Sequence, residues 1–267
     1  MTGPTLQSIL RSAKERASGL RPRSRELERA AQAAPNPRPF AKLFGPEGES
    51  VTVIAEVKRR SPSAGEIRSD LDPVGHALAY ARGGAGAISV LTDPTHFGGS
   101  VDDLTRVALA VSVPVLRKDF IVDELQVLEA RAAGASAVLL IARAFAAGDG
   151  RLAALSRFAS GIGLGTLVEV HAESELDVAL AAGPTAIGVN SRDLDTFVTD
   201  MDVALRLVPL VPAGIPAVAE SGLERRADVE RVAAAGADAV LVGTAVARAG
   251  DPEQAVRELT GVRRTKR

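Results

Sequence analysis

Eight short runs rich in Val, Ile and Leu recur along this chain at intervals of roughly 20 to 35 residues, at 51–58, 85–92, 113–120, 135–142, 165–171, 185–191, 216–222 and 237–244. Near-continuous apolar strands suit a parallel sheet that is covered on both faces. Parallel strands need long crossovers, and the Ala-rich, charge-dotted segments between the runs have the spacing of helices that would supply them. Gly-Ala pairs announce several runs, at Gly84-Ala85, Gly134-Ala135 and Gly236-Ala237. A glycine there reads as the left-handed cap that ends a helix before the next strand starts. Eight such units predict an α/β fold, a (β/α)8 TIM barrel, with an open doubly wound sheet as the competing arrangement.

Residues 1–50 precede the first run and read differently, with a basic amphipathic stretch over 6–27, an Ala-rich stretch over 28–34 and a Pro-containing one over 35–40. They are expected to form an N-terminal helical extension packed on a barrel spanning 51–250. Residues 251–267 then hold the end of the last helix and a tail, whose final residues, 263–267, are expected to fray. The charge run over 21–29 is interrupted by acidic and apolar residues and reads as a solvated helix face.

Composition narrows the function. Lys plus Arg is 32 against 33 for Asp plus Glu, a net charge of −1, so no global positive field draws the chain to nucleic acid or to an anionic membrane. Seven Phe and one Tyr, with no Trp, leave little for a base-stacking platform. Cysteine is absent, which removes disulfides, thiolate nucleophiles and cysteine-held metals, and fits a cytoplasmic location. The N-terminal residues lack the apolar core of a signal peptide, and no apolar run reaches the roughly 18 residues of a membrane span.

Active sites of such barrels form at the C-terminal ends of the strands, so the polar residues that end each run carry the information. Run one ends in Glu56-Val57-Lys58, run three in Arg117-Lys118-Asp119-Phe120, run five in Glu169-Val170-His171, run six in Asn190-Ser191-Arg192 and run seven in Glu220-Ser221-Gly222. Positive charge here is mostly guanidinium, with five lysines in the whole chain; Lys14, Lys42 and Lys266 sit in polar stretches, whereas Lys58 and Lys118 end apolar runs. Period-two alternation puts Glu56 and Lys58 on one face, and likewise Asn190 and Arg192. Taken singly, each charge is explicable as a barrel-filling ion pair. Five strands together are not, because burying charges costs several kcal/mol apiece and pairing seldom repays it in stability. General acid and base work is the better explanation, with the lysine pKa expected to fall near other cations and the glutamate pKa expected to rise in an apolar wall.

Runs seven and eight also end in small residues, Ser221-Gly222 and Gly243-Thr244, which expose backbone N–H groups as a barrel phosphate site does. Ser61-Pro62-Ser63-Ala64-Gly65 makes a small-residue loop after run one. The glycines at 161, 163 and 165 precede a strand and so are no dinucleotide fingerprint. His76, His96 and His171 lack metal-ligand spacing. His171 either lines the mouth or stands behind it as a supporting imidazole, the second being the ordinary reading.

These strand-end motifs resemble the indole-3-glycerol phosphate synthase family from about residue 51 to the last barrel helix. The likeness is carried by Ile54-Ala55-Glu56-Val57-Lys58-Arg59-Arg60-Ser61-Pro62-Ser63, Ser89-Val90-Leu91-Thr92-Asp93 and Leu116-Arg117-Lys118-Asp119-Phe120. Leu167-Val168-Glu169-Val170-His171, Gly188-Val189-Asn190-Ser191-Arg192-Asp193-Leu194 and Ala219-Glu220-Ser221-Gly222 continue it in order. The resemblance implies a step of tryptophan biosynthesis in which 1-(2-carboxyphenylamino)-1-deoxyribulose 5-phosphate closes to indole-3-glycerol phosphate with loss of CO2 and water. It implies no metal or organic cofactor, and other tryptophan-pathway enzymes as candidate partners. By resemblance, Lys118 is the general acid of ring closure and Glu169 the carboxylate of the later dehydration. Lys58 pairs with the substrate or itself donates a proton, and the resemblance does not divide the steps between the two lysines. Glu56, Asn190 and Glu220 orient substrate and lysines, Arg192 lies nearby and Phe120 lines the ring pocket. Ser61, Ser221, Gly222, Gly243 and Thr244 hold the phosphate.

The chain departs from the family pattern at Ala64, where lysine is common, at Glu124-Leu125, at Ser191 and at Thr244; none of these removes a proposed acid or base. The runner-up is another phosphate-sugar barrel enzyme such as phosphoribosylanthranilate isomerase, whose usual Cys-Asp pair this chain cannot supply. A barrel kept only as a binding module is the reading from another class, and the buried acids and bases argue against it.

Overall fold

The computed structural model describes residues 5–44, 49–146, 148–265 and 267. All eight apolar runs are strands: β1 (Thr52–Val57), β2 (Ala87–Leu91), β3 (Val115–Lys118), β4 (Ala137–Ile141), β5 (Gly165–Val170), β6 (Ala186–Asn190), β7 (Ala217–Glu220) and β8 (Ala239–Val242). Each pairs in parallel with its sequence neighbours, and β1 pairs with β8 through Thr52↔Ala239, so the sheet closes into a barrel and the open-sheet alternative falls away. Gly84, Gly134 and Gly236 have φ of 96°, 84° and 98°, the left-handed conformation that ends a helix ahead of a strand.

Alternation along the strands sorts the core into two layers. Val53, Ala55 and Val57 of β1 face the surrounding helices, whereas Ile54 belongs to an inner cluster with Leu116, Leu139, Leu167, Val218 and Leu241. The next inward position on four strands is charged: Glu56 beyond Ile54, Lys118 beyond Leu116, Glu169 beyond Leu167 and Glu220 beyond Val218. An apolar plug thus fills the lower barrel, and a polar layer lies on top of it.

The N-terminal segment wraps this barrel from mouth to floor. Helix α1 (Leu6–Gly19) lies at the C-terminal ends of β2 and β3, where Arg16 bridges Asp93 and Asp119 with N–O distances of 2.7 Å each. Helix α2 (Ser24–Ala33) packs Leu27 and Ala31 against Leu125 and Leu128, and its exposed Arg23–Glu26 pair fits the solvated face expected of the charge run. Arg131 then donates to the carbonyls of Ala34 and Pro35, at 3.0 and 2.8 Å. A 3-10 stretch, Phe40–Phe44, ends beneath the barrel: Phe40 abuts Gly165 at the start of β5, and the Leu43 carbonyl accepts from Thr52 Oγ1.

The tail is tied down, contrary to expectation. Arg264 and Arg267 both pair with Asp238, at 2.8 and 2.7 Å, and Ser50 bridges Arg263. Lys14 and Lys42 are exposed; Lys266 lies outside the described residues.

Candidate functional site

At the C-terminal mouth a cavity of about 330 Å³ opens over the polar layer. Every residue to which the family resemblance gives a role lines it: Glu56, Lys58, Ser61, Lys118, Phe120, Glu169, Asn190, Arg192, Glu220, Ser221, Gly222, Gly243 and Thr244. Its volume suits a small-molecule ligand.

Two ion pairs organise the centre. Lys58 Nζ lies 2.9 Å from Glu56 Oε1, as expected of residues two apart on one strand, and Ser89 Oγ donates to Glu56 Oε2 at 3.4 Å. Lys118 Nζ lies 3.2 Å from Glu169 Oε2 and 3.7 Å from Glu220 Oε2, with the two carboxylates 1% and 2% exposed. These partners come from strands 51 residues and more away in sequence, brought together only by barrel closure. Asn190 Oδ1 accepts from the Arg192 backbone N–H at 3.0 Å, and Arg192 donates to the Phe197 carbonyl, fixing the loop after β6 against the mouth.

The electrostatics correct the sequence expectation. Burial works against the Lys118 ammonium, but the carboxylates of Glu169, Glu220 and Glu56 outweigh it and hold its pKa above the ordinary lysine value. The expected neighbouring cations are carboxylates instead. Glu169 also moves against expectation: burial would raise its pKa, yet Lys118, with His171 and Asn190 adding to it, holds the carboxyl below the ordinary range. Glu220 behaves as expected, since burial and the adjacent Glu169 charge outweigh Lys118 and push it up to about 8. At neutral pH the trio is therefore charge-balanced, an ammonium, one carboxylate and one carboxylic acid. Glu220 Oε1 sits over Gly188 of β6, where a Cβ would strike it.

The opposite rim is built of backbone. Ser221 and Gly222 have φ of 65° and 76°, two successive left-handed residues, and at Gly222 a Cβ would come within 3.0 Å of Thr199 and Met201. Both residues line the cavity, and a rim of backbone and small side chains suits an anion. Gly243 lets β8 pass beside Glu56, whose Oε1 would lie 2.5 Å from a Cβ there, and Thr244 opens the short helix Thr244–Arg248. Ser61 pairs with Gly65 in a two-residue antiparallel ribbon and accepts from the Ala64 N–H at 3.1 Å, so the loop after β1 folds back over the cavity edge.

The sequence reading missed several lining residues. Leu139 and Ile141 were hidden because they are apolar at the end of an apolar run, and Phe97, whose ring lies 6.2 Å from that of Phe120, ends a one-turn helix (Pro94–Phe97) without a motif. Phe197 and Arg248 also line the cavity, and Arg16 reaches its margin from α1 through Asp93 and Asp119. His171 does not line it, but stands behind Glu169. Among the described residues, no group of three or more His, Cys, Asp or Glu is arranged to hold a metal ion, and no helix is long and apolar enough to cross a membrane.

The model of the indole-3-glycerol phosphate synthase family matches residues 6–259. The chain belongs to the indole-3-glycerol phosphate synthase family. Relatives bearing that name include one from Nocardioides sp., 50% identical over 237 residues that make up 89% of this chain and 90% of the relative. A Parafrankia sp. relative is 47% identical, covering 87% of this chain and 85% of its own. "Indole-3-glycerol phosphate synthase 2" of Streptomyces coelicolor is 49% identical over 88% of this chain and 90% of its own. Among solved structures, a 3-hexulose-6-phosphate synthase covers 78% of this chain and 98% of its own at 20% identity and a TM-score of 0.60. Thiamine phosphate pyrophosphorylase from Pyrococcus furiosus covers 78% of this chain and 93% of its own at 19% identity and a TM-score of 0.58. At those identities the two structures speak for the barrel alone. Membership in the indole-3-glycerol phosphate synthase family makes the chain a carboxy-lyase of tryptophan biosynthesis, and the alignment reaches back to residue 6, well into the N-terminal segment.

Proposed function

We propose that this cavity closes 1-(2-carboxyphenylamino)-1-deoxyribulose 5-phosphate to indole-3-glycerol phosphate, with Lys118 giving the proton of ring closure and Glu169 taking the proton of dehydration. The ring carbon that bears the carboxylate attacks the ribulose carbonyl carbon, and the Lys118 ammonium gives its proton to the carbonyl oxygen as that carbon–carbon bond forms. The C–CO2 bond then breaks, CO2 leaves, and the electron pair restores the aromatic ring. In the last step the new hydroxyl takes a second proton and leaves as water, while Glu169 removes a proton from the adjacent carbon to complete the indole. Two protons are taken up and one is released, which matches the loss of a carboxylate as neutral CO2.

What carries this reading is the Lys118–Glu169 pair, a loaded acid 3.2 Å from an ionised base under one cavity. A pKa held above the ordinary value keeps the ammonium proton-loaded at neutral pH, and one held below it keeps Glu169 ready to accept. Lys58, paired with Glu56, takes the substrate carboxylate; Asn190 and Glu220 orient substrate and lysine; Arg192 stands by the anionic ring; Phe120 faces the ring itself. Ser61, Ser221, Gly222, Gly243 and Thr244 form the phosphate end, whose binding energy is used to hold the reacting carbons in place. The same reading treats 1–50 as an extension serving the site, 51–250 as the catalytic barrel and 251–267 as its closing helix and tail. It puts the enzyme in the cytoplasm beside other enzymes of tryptophan biosynthesis. The test is direct: with the carboxyphenylamino ribulose phosphate, the protein should generate indole fluorescence, and Lys118→Met should abolish it with substrate binding retained. A Lys118→Met protein as active as the parent would overturn the assignment.

A further inference from the structure

Glu169 is held from two sides, and only one of them belongs to the cavity. Its Oε2 faces Lys118; its Oε1 lies 3.2 Å from Nε2 of His171, which is 2% exposed at the side chain and turned away from the ligand space. On the far side of the imidazole, Nδ1 lies 3.6 Å from Glu175 Oε2, and the same carboxylate oxygen accepts from the His171 backbone N–H at 2.8 Å. Glu175 is itself fixed by Arg143 at 2.8 Å, and Arg143 reaches on to Asp193 in the loop after β6. The imidazole therefore sits between two carboxylates, one in the proposed machinery and one on the outer turn. Neither ring nitrogen makes an aligned hydrogen bond with a described residue, nor does Glu169 Oε1. A buried imidazole left in that state is costly unless charge attraction holds it there.

We propose that His171 is a positioning residue for Glu169, clamping its Oε1 from behind so that Oε2 stays turned toward Lys118 and the reacting carbons. The charged groups that bear on it are Glu169 on its own strand, Glu175 on the following turn, Arg143 from the turn after β4, and Asp193 and Asp195 acting through Arg143. Lys118 and Glu220 act on it only through Glu169. Burial opposes a charge on the ring, but Glu169 and Glu175 outweigh it and lift the His171 pKa to about 9, so the ring is cationic through neutral pH. A cation behind Glu169 favours its ionised form, the form a base needs. Replacing the ring by a neutral group should thus raise the pKa of Glu169, and activity should fail at a higher pH on the acid side.

This inference rests on Glu169 being the base, and the experiment separates the two. Steady-state rates are measured across pH for the parent, Glu169→Gln, His171→Leu and His171→Gln, with folding followed by circular dichroism. Glu169→Gln should lose about 10²-fold or more in kcat. His171→Leu should lose about tenfold in kcat with KM within about twofold, the mark of a misplaced base over an intact binding site. His171→Gln keeps a donor near the Nε2 position and should recover most of kcat at neutral pH, yet its acid limb should lie at higher pH than that of the parent because the charge is gone. If Glu169→Gln is inactive while folded His171 variants keep the parent's kcat and acid limb, the positioning role is wrong and the base assignment stands. If Glu169→Gln works like the parent, the base assignment itself fails. Should His171→Leu not fold, the pH profile of His171→Gln decides alone.

Discussion

Lys118 is the residue on which proton donation and simple charge neutralisation make different demands. Arginine keeps the charge but, with a pKa above about 12, gives up no proton in the working range. Lys118→Arg should therefore lose about 10² to 10⁴ in kcat, close to Lys118→Met, with binding retained; activity within a few-fold of the parent would mean that only the positive charge matters. Glu220 makes a prediction about pH. Its pKa is raised from 4.5 to about 8, so its contribution to stability is fully present below about 4.5 and is lost as pH rises to 8. Glu220→Gln keeps the neutral form at all pH values. It should melt above the parent at pH 9, with the gap closing toward pH 5; a gap independent of pH would show that Glu220 does not hold its proton through neutrality. The positions of these residues were legible because a charge at the end of an apolar run is rare and expensive. Their protonation was not, since the groups that set it for Lys118 arrive from β5 and β7 and leave no mark near residue 118.

Elements were read from periodicity, and where the period was clean the reading held. The strands and their left-handed glycine caps follow from local chemistry, so Gly84, Gly134 and Gly236 marked their boundaries correctly. Side-chain reach across elements has no such local signature. Nothing around Arg16 distinguishes it from the other arginines of a basic helix, yet it alone bridges Asp93 and Asp119 and docks α1 beside the residue next to Lys118. Both of those carboxylates are buried, at 1% and 0% exposure, and Asp119 keeps Arg117 and Thr92 when Arg16 is removed, whereas Asp93 keeps mainly His96. Arg16→Ala should cost on the order of 3 kcal/mol in urea unfolding, the usual penalty for stripping a buried carboxylate of its partner. A loss below about 1 kcal/mol would place α1 on the barrel by its apolar face alone. The tail was misread for the same reason: Asp238 captures Arg264 and Arg267 from a segment whose composition suggested fraying.

At the scale of the whole molecule, barrel closure brings a list of strand ends into one cavity. An apolar plug closes the interior, a polar layer lies above it, a backbone-lined rim faces the lysines, and the N-terminal segment runs from mouth to floor with α1 pinned at the cavity mouth. Lys118 and Glu169 are assigned to different chemical events, ring closure before CO2 leaves and dehydration after it. A single-turnover experiment that measures CO2 and indole in the same sample separates them. With Lys118→Met neither product should form. With Glu169→Gln, CO2 should be released while indole formation lags by about 10²-fold or more, leaving the closed, undehydrated ring. Loss of CO2 and indole in equal measure in Glu169→Gln, or indole formed at the parent's rate, would contradict the division of labour proposed for this site.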